Sequence, residues 1–420
     1  MIARTQFFQS LLLVVAAATL VNCGPALPCP AGGSKARLKR AATTSCGTGG
    51  GGTCDSTSKP SQVMLSVDSN GMVLEYAIND TTGALTLMCN TATAALGPLA
   101  VSNNAFLYVL DTSVSPAQVF GFSIAHGKSG ALTAITGSPF PLSEAIPAGA
   151  VFSIVADPLG RFIFVTNNST GLNPSNTDVH VLLIGQSGAL TEATNSPFAV
   201  PAPDFIAINP AGNLAYIPDS TDGDIFIFSL DVNGQLAPTV ANPVIIANAL
   251  DAPHFDLVHP NGKFLLTANL QSISSFAIDQ TPANGGALTQ VAGSPFSPAL
   301  GGDSQVAPLA IVLDKSGNFL YVVPDGAAVG MTGFLSDNII AFAFDTVGGG
   351  LTTVPNSPFT STSTLDIIAN PLLAQMFVVT SNTTSIIFDV APIDSSGNLT
   401  LPTTGLSVTA EIHPVVVNIQ

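Results

Sequence analysis

The chain has 420 residues, of which only 9% are charged and 46% are hydrophobic, with 38 Gly, 31 Pro and no Trp. So little charge beside so much apolar side chain excludes disorder for the bulk of the chain, and the Gly and Pro content suits short strands joined by turns. Residues 62–420 hold 25 of the 26 acids but only four of the ten cations, Lys128, Arg161, Lys263 and Lys315, which excludes nucleic acid as a partner because phosphate binding needs clustered Lys and Arg.

In chain order, residues 1–23 come first as an export signal. Arg4 is followed by an apolar run from Leu11 to Val21, too short for the roughly 20 residues that span a bilayer. Leu20-Val21-Asn22-Cys23 is similar to the lipobox of bacterial lipoproteins, which implies lipidation of Cys23; an ordinary cleaved signal with Cys23 free or in a disulfide is the alternative. Residues 24–61 lack a hydrophobic period and are rich in Gly, Ser, Thr and Pro, so they read as a flexible tether. Cys46 and Cys54 bracket a small loop that a disulfide could close in an oxidising compartment, and the pairing of Cys29, Cys46, Cys54 and Cys89 stays open. The expected address is the cell envelope, periplasm or exterior, with membrane contact only through the N-terminal lipid.

From residue 62 onward one unit recurs seven times. A small residue, Leu and Thr or close variants mark it at 84–86, 131–133, 189–191, 235–237, 287–289, 350–352 and 398–400. GSPF or NSPF follows at 137–140, 195–198, 293–296 and 356–359. A third mark, ADPLGR, NPAGN, HPNGK or DKSGN at 156–161, 209–213, 259–263 and 314–318, places Asp, Asn or His first, Pro second in three of the four and Gly fourth in all, the choices of a tight turn between antiparallel strands. Each unit therefore reads as four strands A to D in a meander, and such a meander repeated about every 50 residues is a β-propeller blade. The first unit lacks an A strand, and Pro414–Ile419 follows the seventh D strand with no partners of its own. That strand should complete the first blade and close an all-β, seven-bladed ring without exposed sheet edges.

HFDLVHPNGKFLLTANL at 254–270, with FLYVLD at 106–111, FIFVTN at 162–167 and FLYVVP at 319–324, resembles the lactonase family of seven-bladed propellers, which groups 6-phosphogluconolactonase-like enzymes with YVTN-repeat surface proteins. The resemblance implies an Arg-His pair beginning one inner strand and a Glu after the next strand. Here the histidine is His254, but Pro253 precedes it and Asn269 stands where the Glu is expected.

Meander topology puts A-to-B and C-to-D turns on one face with all four cations, and the longer B-to-C and D-to-A loops on the other, which is rich in acids. Function is expected on that loop face. His254 is the candidate general base, with Asp251, Asp204 or Glu144 to orient it. Asp219, Asp222 and Asp224 form the densest acid cluster and could hold Ca²⁺ or another divalent cation, which takes hard oxygen ligands; a solvated Asp-rich turn is the alternative. A phosphorylated lactone would meet like charge there with no cation to clamp it. His180 and His126 read as structural or solvated, and His259 as a turn residue. The composition of the faces and the departures at 253 and 269 make a monomeric binding module for an envelope or extracellular ligand the expected function, with a lactone hydrolase acting on a neutral lactone as the alternative.

Overall fold

The computed structural model describes residues 60–419 except 94, 96, 128–129, 145–152, 169–176, 241–242, 246–251, 282–284, 298–307, 325–335, 382–384, 403–404 and 409–410. The expected export signal, Cys23, residues 24–59 of the expected tether and Cys29, Cys46 and Cys54 lie outside the described residues, whereas Ser61 at the end of that stretch is buried and bonded to Asp80.

Seven four-stranded antiparallel blades form a propeller. Blade 1 closes as the sequence requires: Gln62–Asp68 pairs on one side with Met72–Ile78 and on the other with the C-terminal strand Glu411–Asn418. That strand begins three residues earlier than expected, and its register slips between Leu65 and Val67, which accommodates the extra length. Blades 2 to 5 run from the inner strands Leu99–Ser102, Ile154–Ala156, Ala207–Ile208 and Pro253–Val258 outward to Leu132–Ala134, Leu190–Glu192, Leu236–Pro238 and Leu288–Gln290. Blades 6 and 7 share one continuous sheet, because the single strand Phe359–Ala369 pairs first with the C strand of blade 6 and then serves as the inner strand of blade 7. In blade 7 the Leu399 signature makes only a bridge with Ile393, and Leu406–Val408 takes the outer position instead.

The three sequence marks have distinct physical jobs. The A-to-B turn residue caps its own turn: Asp314 accepts the Ser316 and Phe319 amides and Asn209 accepts those of Asn213 and Leu214. His259 does the same through Nδ1 and reaches Gly317 O of blade 6 through Nε2 at 2.9 Å. The SPF serine fills the gap where the outer strand breaks. Ser138, Ser196, Ser294 and Ser357 Oγ each accept a C-strand amide, from Gly121, Val181, Ser275 and Ala341, so no buried N–H is stranded. The glycine before the Leu-Thr mark locks neighbouring blades together. Gly286, at φ +79°, sits against Leu214 of blade 4, and its carbonyl accepts the Tyr216 hydroxyl; Gly188 does this for Phe106 and Tyr108. A side chain there would meet both an unfavourable backbone and a filled space.

The core is a ring of seams between blades. In five blades the middle of the inner and second strands presents an aliphatic pair to that seam: Leu99 with Val109, Ile154 with Val165, Ile311 with Val322, Ile367 with Val378, and, continuing the blade 4 register, Ile206 with Ile217. Burying each such side chain contributes about 1.5–3 kcal/mol.

Candidate functional site

The loop face places His254 and Asp204 together. The inner strand of blade 5 slips register between Pro253 and Phe255, so His254 is the extra residue of a bulge, a device that re-aims a side chain at the end of a strand. In blade 4, Pro203 bridges to Asp219 while Ala207 pairs with Tyr216, which leaves Asp204 at the matching position two residues before Ile206. The two projecting residues meet across the seam: His254 Nδ1 lies 3.1 Å from Asp204 Oδ2. The amide of Asn168, just past the second strand of blade 3, donates to the other oxygen, Asp204 Oδ1. Three consecutive blades therefore build one chain of contacts, from Asn168 through Asp204 to His254.

The polarity of this chain follows from its chemistry. A carboxylate only accepts, so the Nδ1 facing it carries the proton, and in the neutral ring Nε2 then keeps its lone pair. The His254 side chain is 24% exposed and that of Asp204 13%, so the imidazole is anchored by one nitrogen while the residue stays open to solvent. Asp219 adds to the negative field. Burial, with the neighbouring charges of Asp222 and Asp204, raises its carboxyl to about 6 against the amides of Thr221 and Asp222, which lower it.

The remaining expected site residues fall in different places. Asp251 lies outside the described residues. Glu144 lies near Asp178, whose carboxyl is raised by burial first and by Glu144 among the later causes; it belongs to the blade 2–3 side of the ring. Asp178 and Glu192 flank His180, which is fully buried, with Nδ1 2.6 Å from Glu192 Oε1 and Nε2 3.3 Å from Asp178 Oδ1. Burial pushes the Glu192 carboxyl up, but the His180 contact and charge outweigh it and hold it below its ordinary value. His180 thus clasps two carboxyl groups in the interior, which its position on an apolar strand concealed. Asp219 Oδ1 accepts the Thr221 and Asp222 amides, and Asp219 pairs directly with Asp224 across the hairpin. Among the described residues no group of three His, Cys, Asp or Glu converges as a metal site. Arg161, Lys263 and Lys315 stay on the turn face as expected, with Arg161 held by Asp157 and Gly212 O and Lys315 by Leu372 O, while Lys128 lies outside the described residues. That face carries acids as well, since Asp231, Asp345 and Asp394 cap its turns.

Residues 62–412 match the family described as Lactonase, 7-bladed beta-propeller. The chain belongs to this family. It is 27% identical over 187 residues to a 6-phosphogluconolactonase of Serratia proteamaculans, a match covering 43% of this chain and about half, 52%, of that protein. Among solved structures, the periplasmic gluconolactonase of Pseudomonas aeruginosa superposes with a TM-score of 0.65 at 18% identity, covering 86% of this chain and 100% of that one. A protein of Lactobacillus plantarum gives 0.64 at 19%, covering 85% and 99%. These two structures share the propeller fold.

Proposed function

We propose that this propeller hydrolyses a lactone, with His254 as general base and Asp204 holding its tautomer. The observation that carries the reading is the Nδ1 contact between His254 and Asp204, which leaves Nε2 as a base on the loop face; membership of the lactonase family supports it. Nε2 takes a proton from water as the water oxygen bonds to the lactone carbonyl carbon. The ring carbon–oxygen bond then breaks, and the imidazolium returns the proton to the departing ring oxygen, giving the open hydroxy acid.

A neutral lactone suits the site better than a phosphorylated one. Asp204 contacts the imidazole, Asp219 feels the charges of Asp204 and Asp222, and among the described residues Arg161, Lys263 and Lys315 all sit on the opposite face, so a phosphate would meet like charge. The test is hydrolysis of a panel of neutral and phosphorylated lactones by the full chain, with Ca²⁺ and with chelator. Turnover of neutral members is expected to exceed that of phosphorylated ones; preference for the phosphorylated members, or no turnover at all, overturns the reading.

A second reading, binding without turnover at the cell envelope, is favoured by one observation: Pro253 and Asn269 occupy positions where the family resemblance implies Arg and Glu. The same proposal places the mature propeller outside the cytoplasm on a lipid at Cys23. The mass of the mature N-terminus tests that, since an unmodified or uncleaved chain contradicts it.

A further inference from the structure

Blade 5 breaks the aliphatic rule of its neighbours. Where five blades pair Ile or Leu with Val or Ile, it pairs Asp256 with Thr267. Asp256 is 2% exposed and Thr267 fully buried, and the Thr267 hydroxyl donates to Asp256 Oδ1 at 2.8 Å. Asp256 faces blade 4, where it helps raise the Tyr216 hydroxyl after burial. His254, two residues earlier, reaches toward the same blade to meet Asp204.

The row continues across the sheet and toward the loop face. Thr267 pairs with Ser274, and two residues beyond Thr267 the fully buried Asn269 donates from Nδ2 to Ser274 Oγ at 2.7 Å and to Ser272 Oγ at 3.0 Å. Two buried oxygens are left over, Asp256 Oδ2 and Asn269 Oδ1, neither with a partner. They belong to diagonal neighbours on one side of a strand pair, about 7–8 Å apart at the backbone. Turning the Asn269 amide over would still leave one of its polar atoms without a partner. Native interiors do not leave such groups dry.

We infer that the seam between blades 4 and 5, directly below His254, is a polar slot that binds one water molecule between Asp256 Oδ2 and Asn269 Oδ1. Water fits because it donates to Asn269 Oδ1 and either donates to Asp256 Oδ2 or, where that carboxyl is protonated, accepts its proton. Ser274, whose oxygen already accepts from Asn269, has its own proton to donate to that water, giving the three bonds usual for a buried water. A divalent cation fits poorly, since it seeks six or more hard oxygens and the row offers a single carboxylate. The water ties the inner strand of blade 5 to the end of its second strand, where Asn269 pairs with Pro253. Asp256 and Asn269 are therefore positioning residues for the His254 bulge. This last clause rests on the hydrolase reading, whereas the water site does not.

The experiment compares the full chain with Asp256→Ile/Thr267→Val, which gives blade 5 its neighbours' pair, and with Asp256→Asn, which keeps an oxygen for Thr267 and a polar atom for the water. High-resolution crystal structures are expected to show a water within hydrogen-bond distance of Asp256 and Asn269 in the natural chain and in Asp256→Asn, and none in the double variant. A natural chain with an empty slot, or with Asp256 bonded directly to Asn269, overturns the site. With a neutral lactone, the double variant is expected to lose at least tenfold in kcat with KM unchanged, while Asp256→Asn retains most of it. Equal kcat in all three overturns the positioning role. If the natural chain turns over no lactone, the hydrolase reading fails while the crystallographic arm still decides the slot.

Discussion

Blades 5 and 6 are built to one plan and differ where chemistry is at stake. Both begin their inner strand with a bulge, between Pro253 and Phe255 in one and between Pro308 and Ala310 in the other. Both end the outer strand with a serine that accepts a C-strand amide, and both lock to the preceding blade through a glycine at positive φ. Yet the bulge residue is His254 in blade 5 and Leu309 in blade 6, and the seam pair is Asp256–Thr267 against Ile311–Val322. Five blades thus keep an aliphatic pair at this seam while blade 5 departs from the pattern, and a sequence that breaks its own local rule is where function is expected.

The sharpest test of that contrast makes blade 5 resemble blade 6. His254→Leu is expected to lower kcat/KM for a neutral lactone about 100-fold or more, the lower range of general-base effects, with an unchanged melting temperature. A parallel loss of melting temperature would show that His254 is structural.

Where the blades agree, equivalent changes should have equal effects. Gly286→Ala and Gly349→Ala each place a Cβ at positive φ against a packed side chain, Leu214 in the first and Phe264, at 2.5 Å, in the second. Each is expected to cost about 2–3 kcal/mol by denaturant unfolding. A smaller and again equal loss, about 1–2 kcal/mol, is expected for Ser294→Ala and Ser357→Ala, which strand the Ser275 and Ala341 amides. Unequal losses would mean that the repeat signatures do different jobs in the two blades.

The smallest effect is a slope with pH. Burial raises the Asp256 carboxyl from 3.8 to about 7, with Thr267 opposing. The folded state therefore holds a proton that the unfolded chain releases, and the stability from this group is present below about 4 and falls as pH rises to about 7. Asp256→Asn should flatten that fall. Unfolding midpoints at pH 5 and pH 8 measure it, and identical slopes in the two proteins would contradict a buried, protonated Asp256.

The architecture was legible because the repeats state it seven times and the missing first strand is supplied at the C-terminus. The site was only partly legible. The family resemblance singled out His254, while the loop face left Asp251, Asp204 and Glu144 as alternative partners, because bulges add a residue without a sequence mark. Aligning the repeats within the chain supplies the missing signal: Asp204 and His254 occupy the same position in consecutive blades, two residues before Ile206 and Asp256. The same alignment exposes Asp256 and Thr267 as polar residues in an aliphatic column. The Asp219 cluster left two readings open, since a turn-capping aspartate and a metal ligand look alike until the amides it accepts are known.

The central claim is that the pair across the blade 4–5 seam does the chemistry. Its most direct test is the initial rate of neutral-lactone hydrolysis by the full chain, by Asp204→Asn and by His254→Leu, measured side by side at one pH. The account predicts turnover in the natural chain, a drop of at least tenfold in Asp204→Asn and a larger drop in His254→Leu. Turnover that survives unchanged in both variants would contradict it.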